Sequence, residues 1–275
     1  FVGEAYGDWL SVFEVTDLSL YNDLFYLYDN LLMAKIASIL RKKSALRYQK
    51  IFDESKKRFR KHYFKDGKLT SDTQGAYVLA YQFGLLSKEE TRANLVRKIN
   101  EYGHLTTGFQ STRFLLPTLC ELGEDELAFQ LLNHKDYPSW GYEITCGATT
   151  IWERWDTYHH EKGFNSDGMN SFNHFALGAV GHFLYATVMG ISPILDDPGF
   201  KTVLVEPVFN RSISQLNAIL KTKSGDIEVD FVIENNLITY DIRADEKIKL
   251  QFAFKNKILH QERKELNRYI FTLKY

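Results

Sequence analysis

Apolar residues recur at Leu18, Tyr21, Leu24, Tyr28, Leu31 and Leu32, a spacing of three to four that predicts one face of a long helix from Asp17 to about Leu40. The pattern continues from about Arg47 to His62 and breaks at Asp66-Gly67. Ser71 or Asp72 is placed to cap the next helix, which carries Tyr77, Val78, Tyr81 and Leu85. Ser87-Lys88-Glu89-Glu90 has the form of a capping box and introduces a helix bearing Leu95, Val96 and Ile99. Two further helices are expected from about Ser111 to Leu122 and from Asp125 to Asn133, with Gly123 as the stop between them. Phe172 to Met189, rich in Ala and Gly, reads as another buried helix.

After Gly190 the character changes. Pro193, Pro198 and Pro207 cluster there, and the boundary is set so that residues 1–195 form a helical domain and 196–275 a second one. Beyond it the period is two: Ile227, Val229, Phe231 and Ile233 alternate with polar neighbours, and Asn235-Asn236 is a hairpin turn before Ile238, Tyr240 and Ile242. Ile248 to Phe254 and Tyr269 to Tyr275 repeat the alternation, which predicts an antiparallel β-sandwich. The class is therefore mainly α with a β appendage. Roughly eight antiparallel helices imply an α/α toroid, although no internal sequence repeat marks one.

Composition narrows the partners. With 34 basic and 35 acidic residues the formal net charge is -1, so no global field attracts a polyanion, and nucleic acid is excluded as a partner. No apolar run approaches the roughly 18 to 20 residues of a membrane helix, which leaves no membrane partner to expect. Cys120 and Cys146 are too few and too far apart for a disulfide framework or a zinc site. The start at Phe1, without a basic and apolar leader pattern, looks like a piece of something longer and leaves the compartment open.

The densest chemistry lies in Pro138 to Asp156, PSWGYEITCGATTIWERWD. Trp140, Trp152 and Trp155 beside acidic and basic groups fit a sugar pocket, where C–H faces stack on aromatic rings; they fit equally well as core anchors. Glycoside hydrolysis needs two carboxyl groups. The acids in suitable company are Glu153 between Trp152 and Arg154, Asp8 in Gly7-Asp8-Trp9, and Glu143; for each the plainer role is a helix cap or an ion pair. His159-His160-Glu161 has the wrong spacing for a metal site, and no metal or cofactor is expected. His174, with Asn170 and Asn173, interrupts an apolar segment and needs a partner, which a ligand or the core can supply. No nucleophile elbow or dinucleotide fingerprint is present.

The ordered segments GDWL (7–10), GHLTTGF (103–109), FLLPTLCELG (114–123), YPSWGYEITCGATTIWERWD (137–156), MNSFNHFALGAVGHFLY (169–185) and PGF (198–200) resemble the C-terminal part of bacterial α-L-rhamnosidases, the inverting enzymes of glycoside hydrolase family seventy-eight. The resemblance implies a partial (α/α)6 toroid followed by an antiparallel β-sandwich, and a carbohydrate substrate with terminal rhamnose. It implies that Glu153 is the general base, activating a water against the anomeric carbon, and that Trp9 and His174 line the rhamnose subsite. Asp8, Trp152 and Trp155 sit in the same motifs and are expected near the substrate. The family's upstream segment, of the form D-x-x-x-R-x-E-x-x-G-W-x-G-D, has no counterpart here. The general acid is therefore expected in an upstream part of the same parent chain, and the 275-residue piece alone is expected to be inactive or nearly so. The alternative is a non-catalytic carbohydrate-binding or structural module on the same toroid; another α/α-toroid enzyme, such as a different glycosidase or a polysaccharide lyase, ranks third.

Overall fold

The computed structural model describes residues 6–275. The chain divides into two compact units, the first ending at Ala179 and the second starting at Val180.

In the first unit, α1 (Leu18–Ile39) and α2 (Ser44–Tyr63) pack along each other as a hairpin. Asp17 starts α1 by accepting the N–H groups of Ser19 and Leu20, donors that have no partner inside the helix. Leu20, Leu24 and Leu27 bury the inner face, and Tyr28 stacks on Phe83 at 4.0 Å between ring centroids. Asp66-Gly67 turns the chain between the short strands β1 (Phe64–Lys65) and β2 (Lys68–Leu69).

Next comes α3 (Gln74–Gln82), whose residues from Gln74 to Ala80 are all buried. Its cap is Thr73, which corrects the expectation of Ser71 or Asp72. Ser71 Oγ instead accepts Asp17 N–H, and Asp72 is committed to Tyr77 and Arg97. The predicted capping box opens α4 (Lys88–Tyr102), with Ser87 and Glu90 bonded reciprocally. Left-handed Gly103 ends α4, and left-handed Gly123 separates α5 (Phe109–Leu122) from α6 (Asp125–Leu132). A short α7 (Trp140–Thr145) and the two-residue strands β3 (Tyr158–His159) and β4 (Gly163–Phe164) complete this region.

The helix expected from Phe172 is corrected. Residues 172–176 are irregular because their backbone is bonded to another segment, described below. Helical structure begins at a 3₁₀ turn, Leu177–Ala179, followed by α8 (Val180–Phe183) and a π-helical turn, Leu184–Val188.

The second unit holds two sheets. Strands β7 (Gln215–Thr222), β8 (Gly225–Glu234), β9 (Leu237–Ala244), β11 (Ile258–Glu265) and β12 (Arg268–Lys274) form an antiparallel sheet in the order β11-β12-β9-β8-β7. The other sheet is β10-β6-β5, from β5 (Ile191–Pro193), β6 (Thr202–Val205) and β10 (Lys249–Phe252). The pairing of β10 with β6 is parallel, the one departure from antiparallel order among the described strands. Asn235 and Asn236, both at positive φ, make the predicted two-residue hairpin between β8 and β9. Phe252 packs on Tyr269 and Phe271, and Phe254 on Tyr240 and Phe271, so the core lies between the sheets.

Candidate active site

Two chain segments in the first unit are laced together. Ile151 O accepts His174 N–H at 3.0 Å, Glu153 N–H donates to Ser171 O at 2.9 Å, and Thr150 Oγ1 donates to Phe172 O. These bonds take up the backbone of 171–174 and prevent a helix there. They also bring Glu153 and His174, twenty-one residues apart in sequence, into one small area.

Glu153 is 7% exposed, and its Oε2 accepts Ser171 N–H at 3.0 Å. It lines a cavity of about 50 Å³ together with Leu10, Phe109, Tyr137, Trp155 and Leu177. That space suits a few water molecules. Leu10 reaches the cavity wall in a left-handed conformation, φ 56°, which a leucine rarely adopts. Arg154, beside Glu153 in sequence, is paired with Asp156 at 3.1 Å and with Asp167 at 3.4 Å.

His174 Nδ1 accepts Ala176 N–H at 3.2 Å. A neutral imidazole that accepts at Nδ1 carries its proton on Nε2, so the far nitrogen is a donor suited to a hydroxyl oxygen. Its ring lies 4.8 Å from that of Phe109 and 5.2 Å from that of Phe175.

Phe109 connects this area to Trp9. Phe109 N–H donates to Trp9 O at 2.9 Å, and the backbone before it approaches Asp8 and Trp9 so closely that a Cβ on Gly108 would sit 2.3 Å from Asp8 O. Only glycine fits such an approach. Trp9 itself is half-buried, with Tyr6 edge-on at 5.2 Å.

Asp8 takes the plainer of the two roles open to it in the sequence, a helix cap, where its motif had led to an expectation near the substrate. Its carboxylate accepts the N–H groups of Gly108, Gln110 and Ser111 at 2.9 to 3.1 Å, together with Ser111 Oγ, at the start of α5. Burial pushes its pKa above the usual aspartate range, against the pull of those bonds. Asp8 is a helix cap reaching across from a remote segment, and all of its acceptors are used inside the protein.

The tryptophans sort in the same manner. Trp140 is 6% exposed, donates Nε1–H to Leu177 O at 3.0 Å and meets Trp155 edge-on at 5.3 Å. Trp152 is 2% exposed and packs on Phe172, away from the lining of the cavity. These two are core anchors, and Trp155, equally buried, contributes to the cavity wall. Phe109, Tyr137 and Ser171 were not singled out from sequence. Phe109 ends the GHLTTGF segment after an obligatory glycine, which was the available signal; Ser171 acts through its backbone and had none. Among the described residues no group of three His, Cys, Asp or Glu side chains is arranged to hold a metal ion, and no helix is long and apolar enough to cross a membrane.

Residues 2–188 match the bacterial α-L-rhamnosidase six-hairpin glycosidase domain, and residues 190–245 match the bacterial α-L-rhamnosidase C-terminal domain. The chain belongs to the bacterial α-L-rhamnosidase family. An α-L-rhamnosidase of Formosa agariphila is 36% identical over 252 residues, 86% of this chain and 27% of that protein. One from Streptomyces avermitilis is 36% identical over 229 residues, 82% of this chain and 22% of that protein. The crystal structure of Streptomyces avermitilis α-L-rhamnosidase complexed with L-rhamnose superimposes with a TM-score of 0.86 at 29% identity, covering 99% of this chain and 28% of that one. The chain thus spans about a quarter of the length of the curated family members it matches.

Proposed function

We propose that the protein containing this chain is an inverting α-L-rhamnosidase that removes terminal α-L-rhamnosyl groups from glycosides or polysaccharides, with Glu153 as general base. The observation that carries this reading is a nearly buried glutamate, anchored through one oxygen by Ser171 N–H, on the wall of a water-sized cavity. A water there can pass its proton to Glu153 as it attacks the anomeric carbon from the face opposite the leaving oxygen. His174 supplies a donor to a sugar hydroxyl, and Trp9 an aromatic wall. Trp155 shapes the water cavity, while Asp8 and Trp152 hold these groups in place from behind.

Inversion requires a second carboxyl group to protonate the leaving oxygen, roughly 6.5 to 9.5 Å from the base. We assign it to sequence upstream of these 275 residues in the same parent chain, in keeping with the greater length of the relatives. The substrate class follows the relatives' activity and the L-rhamnose in the Streptomyces complex.

The test is release of p-nitrophenol from p-nitrophenyl α-L-rhamnoside by the full-length protein. Glu153→Gln should lower turnover by about 10²-fold or more while rhamnose still binds. Unchanged turnover sinks the assignment, and retention of anomeric configuration in the first-formed product sinks the inverting mechanism.

A further inference from the structure

Ten residues before Glu153, in α7, lies a carboxyl group with an unusual environment. Glu143 is 2% exposed. Its Oε2 accepts Trp152 N–H at 3.4 Å, and its Oε1 meets no hydrogen-bond partner among the described residues. No ion pair among the described residues includes it. Burial pushes its pKa up to about 8, so the group is neutral at pH 7 and its carbonyl oxygen remains a good acceptor. A buried carboxyl with one unsatisfied oxygen is costly where an apolar side chain of similar length would pack. Such a cost points to a task.

The backbone around Glu153 indicates the task. Ile151 O and Glu153 N–H both bond to the 171–174 segment, and the amide between them, Trp152 N–H, goes to Glu143. The three-residue stretch that presents Glu153 is held by 171–174 at both ends and by Glu143 at its centre. The carbonyl of Glu143 also accepts Ala148 N–H at 3.0 Å, which closes the turn leading into this stretch.

We propose that Glu143 is a positioning residue that fixes the orientation of Glu153 by holding the intervening Trp152 amide. This rests on the assignment of Glu153 as general base.

The experiment uses the full-length protein with Glu143→Met, Glu143→Ala and Glu143→Gln, read by kcat and KM on p-nitrophenyl α-L-rhamnoside, by hydrogen exchange at the Trp152 amide, and by thermal midpoint. Glu143→Met should be at least as stable as wild type, keep KM within about twofold, lose about tenfold or more in kcat and exchange the Trp152 amide about tenfold faster. Glu143→Gln, which keeps a neutral acceptor, should restore both. Wild-type kcat and exchange in the Met variant overturn the proposal, as does a Gln variant no better than Met. If Met does not fold, Ala takes its place under the same criteria. An inactive wild-type protein overturns the function assigned to Glu153, whereas the exchange measurement still decides whether Glu143 holds the turn.

Discussion

Replacing Asp8 by Ala separates a structural carboxylate from a sugar-binding one. The wild-type side chain satisfies three backbone N–H groups and one hydroxyl at the first turn of α5. The bonds from Gly108 N–H and Ser111 N–H are buried, that from Gln110 only partly, so water can replace the last more readily than the first two. An orphaned buried donor costs about 1–3 kcal/mol, and loss of a helix cap alone about 0.5–2 kcal/mol. Partial relaxation of the loop sets the expected loss at about 3–5 kcal/mol. For a folding unit of this size each kcal/mol moves the melting temperature by about 2–4 °C, so a fall of about 6–20 °C is expected. Thermal unfolding of the full-length protein gives the shift, and hydrogen exchange should place the new opening at residues 108–111. A melting temperature within about 2 °C of wild type, combined with weakened rhamnose binding, refutes the capping role and restores Asp8 to the substrate.

Three further outcomes follow from the same geometry. Gly108→Ala places a Cβ 2.3 Å from Asp8 O and 2.6 Å from Trp9 O, both backbone atoms, so it should cost about 1–3 kcal/mol in a denaturation curve and reduce turnover by displacing Trp9. Lys98→Met leaves Glu14, 5% exposed and 2.7 Å from the Lys98 ammonium, without its cation; a loss of about 3–5 kcal/mol is expected in the same assay. Between pH 4.5, the ordinary glutamate value, and about 8, folded Glu143 holds a proton that the unfolded chain releases. Stability should therefore fall as pH rises through that window, by up to about 5 kcal/mol, and Glu143→Gln should remove that part of the slope in denaturant titrations at several pH values.

The parts of the fold that were legible in the sequence are those decided locally. The capping box at Ser87, the left-handed stop at Gly123 and the Asn235-Asn236 hairpin each depend on a few adjacent residues, and each is present. The missed parts depend on distant chain. Ser71 and Asp72 were good caps whose oxygens were taken by Asp17 and Arg97. Residues 172–176 carry a helical pattern of apolar and small side chains, but their backbone bonds to 150–153 instead. Strand β11, ILHQERKE, is exposed throughout and so lacks the alternation that marks a half-buried strand; it lies at a sheet edge. The parallel partner of β10 is set by which sheet it joins, and no local period encodes that.

The site was legible as a region more than as a set of roles. By residue setting alone Asp8, Glu143 and Glu153 stood nearly level, each an acid beside an aromatic residue, and only the family resemblance singled out Glu153. Solvation and partners separate them. Asp8 has four donors, so nothing is left for a ligand. Glu143 has one long bond and is absent from the lining of the cavity that Glu153 borders, which favours a neutral group with a supporting duty. Glu153 has one firm bond, and its side chain borders space for water, in keeping with the general-base role proposed for it, which needs a fixed orientation and access to a proton. Two carboxyls ten residues apart are thus given different partners and different access to water by their surroundings. Substituting Glu143 therefore tests the role proposed for Glu153, because loosening the Trp152 amide would disturb Glu153 without touching its carboxylate.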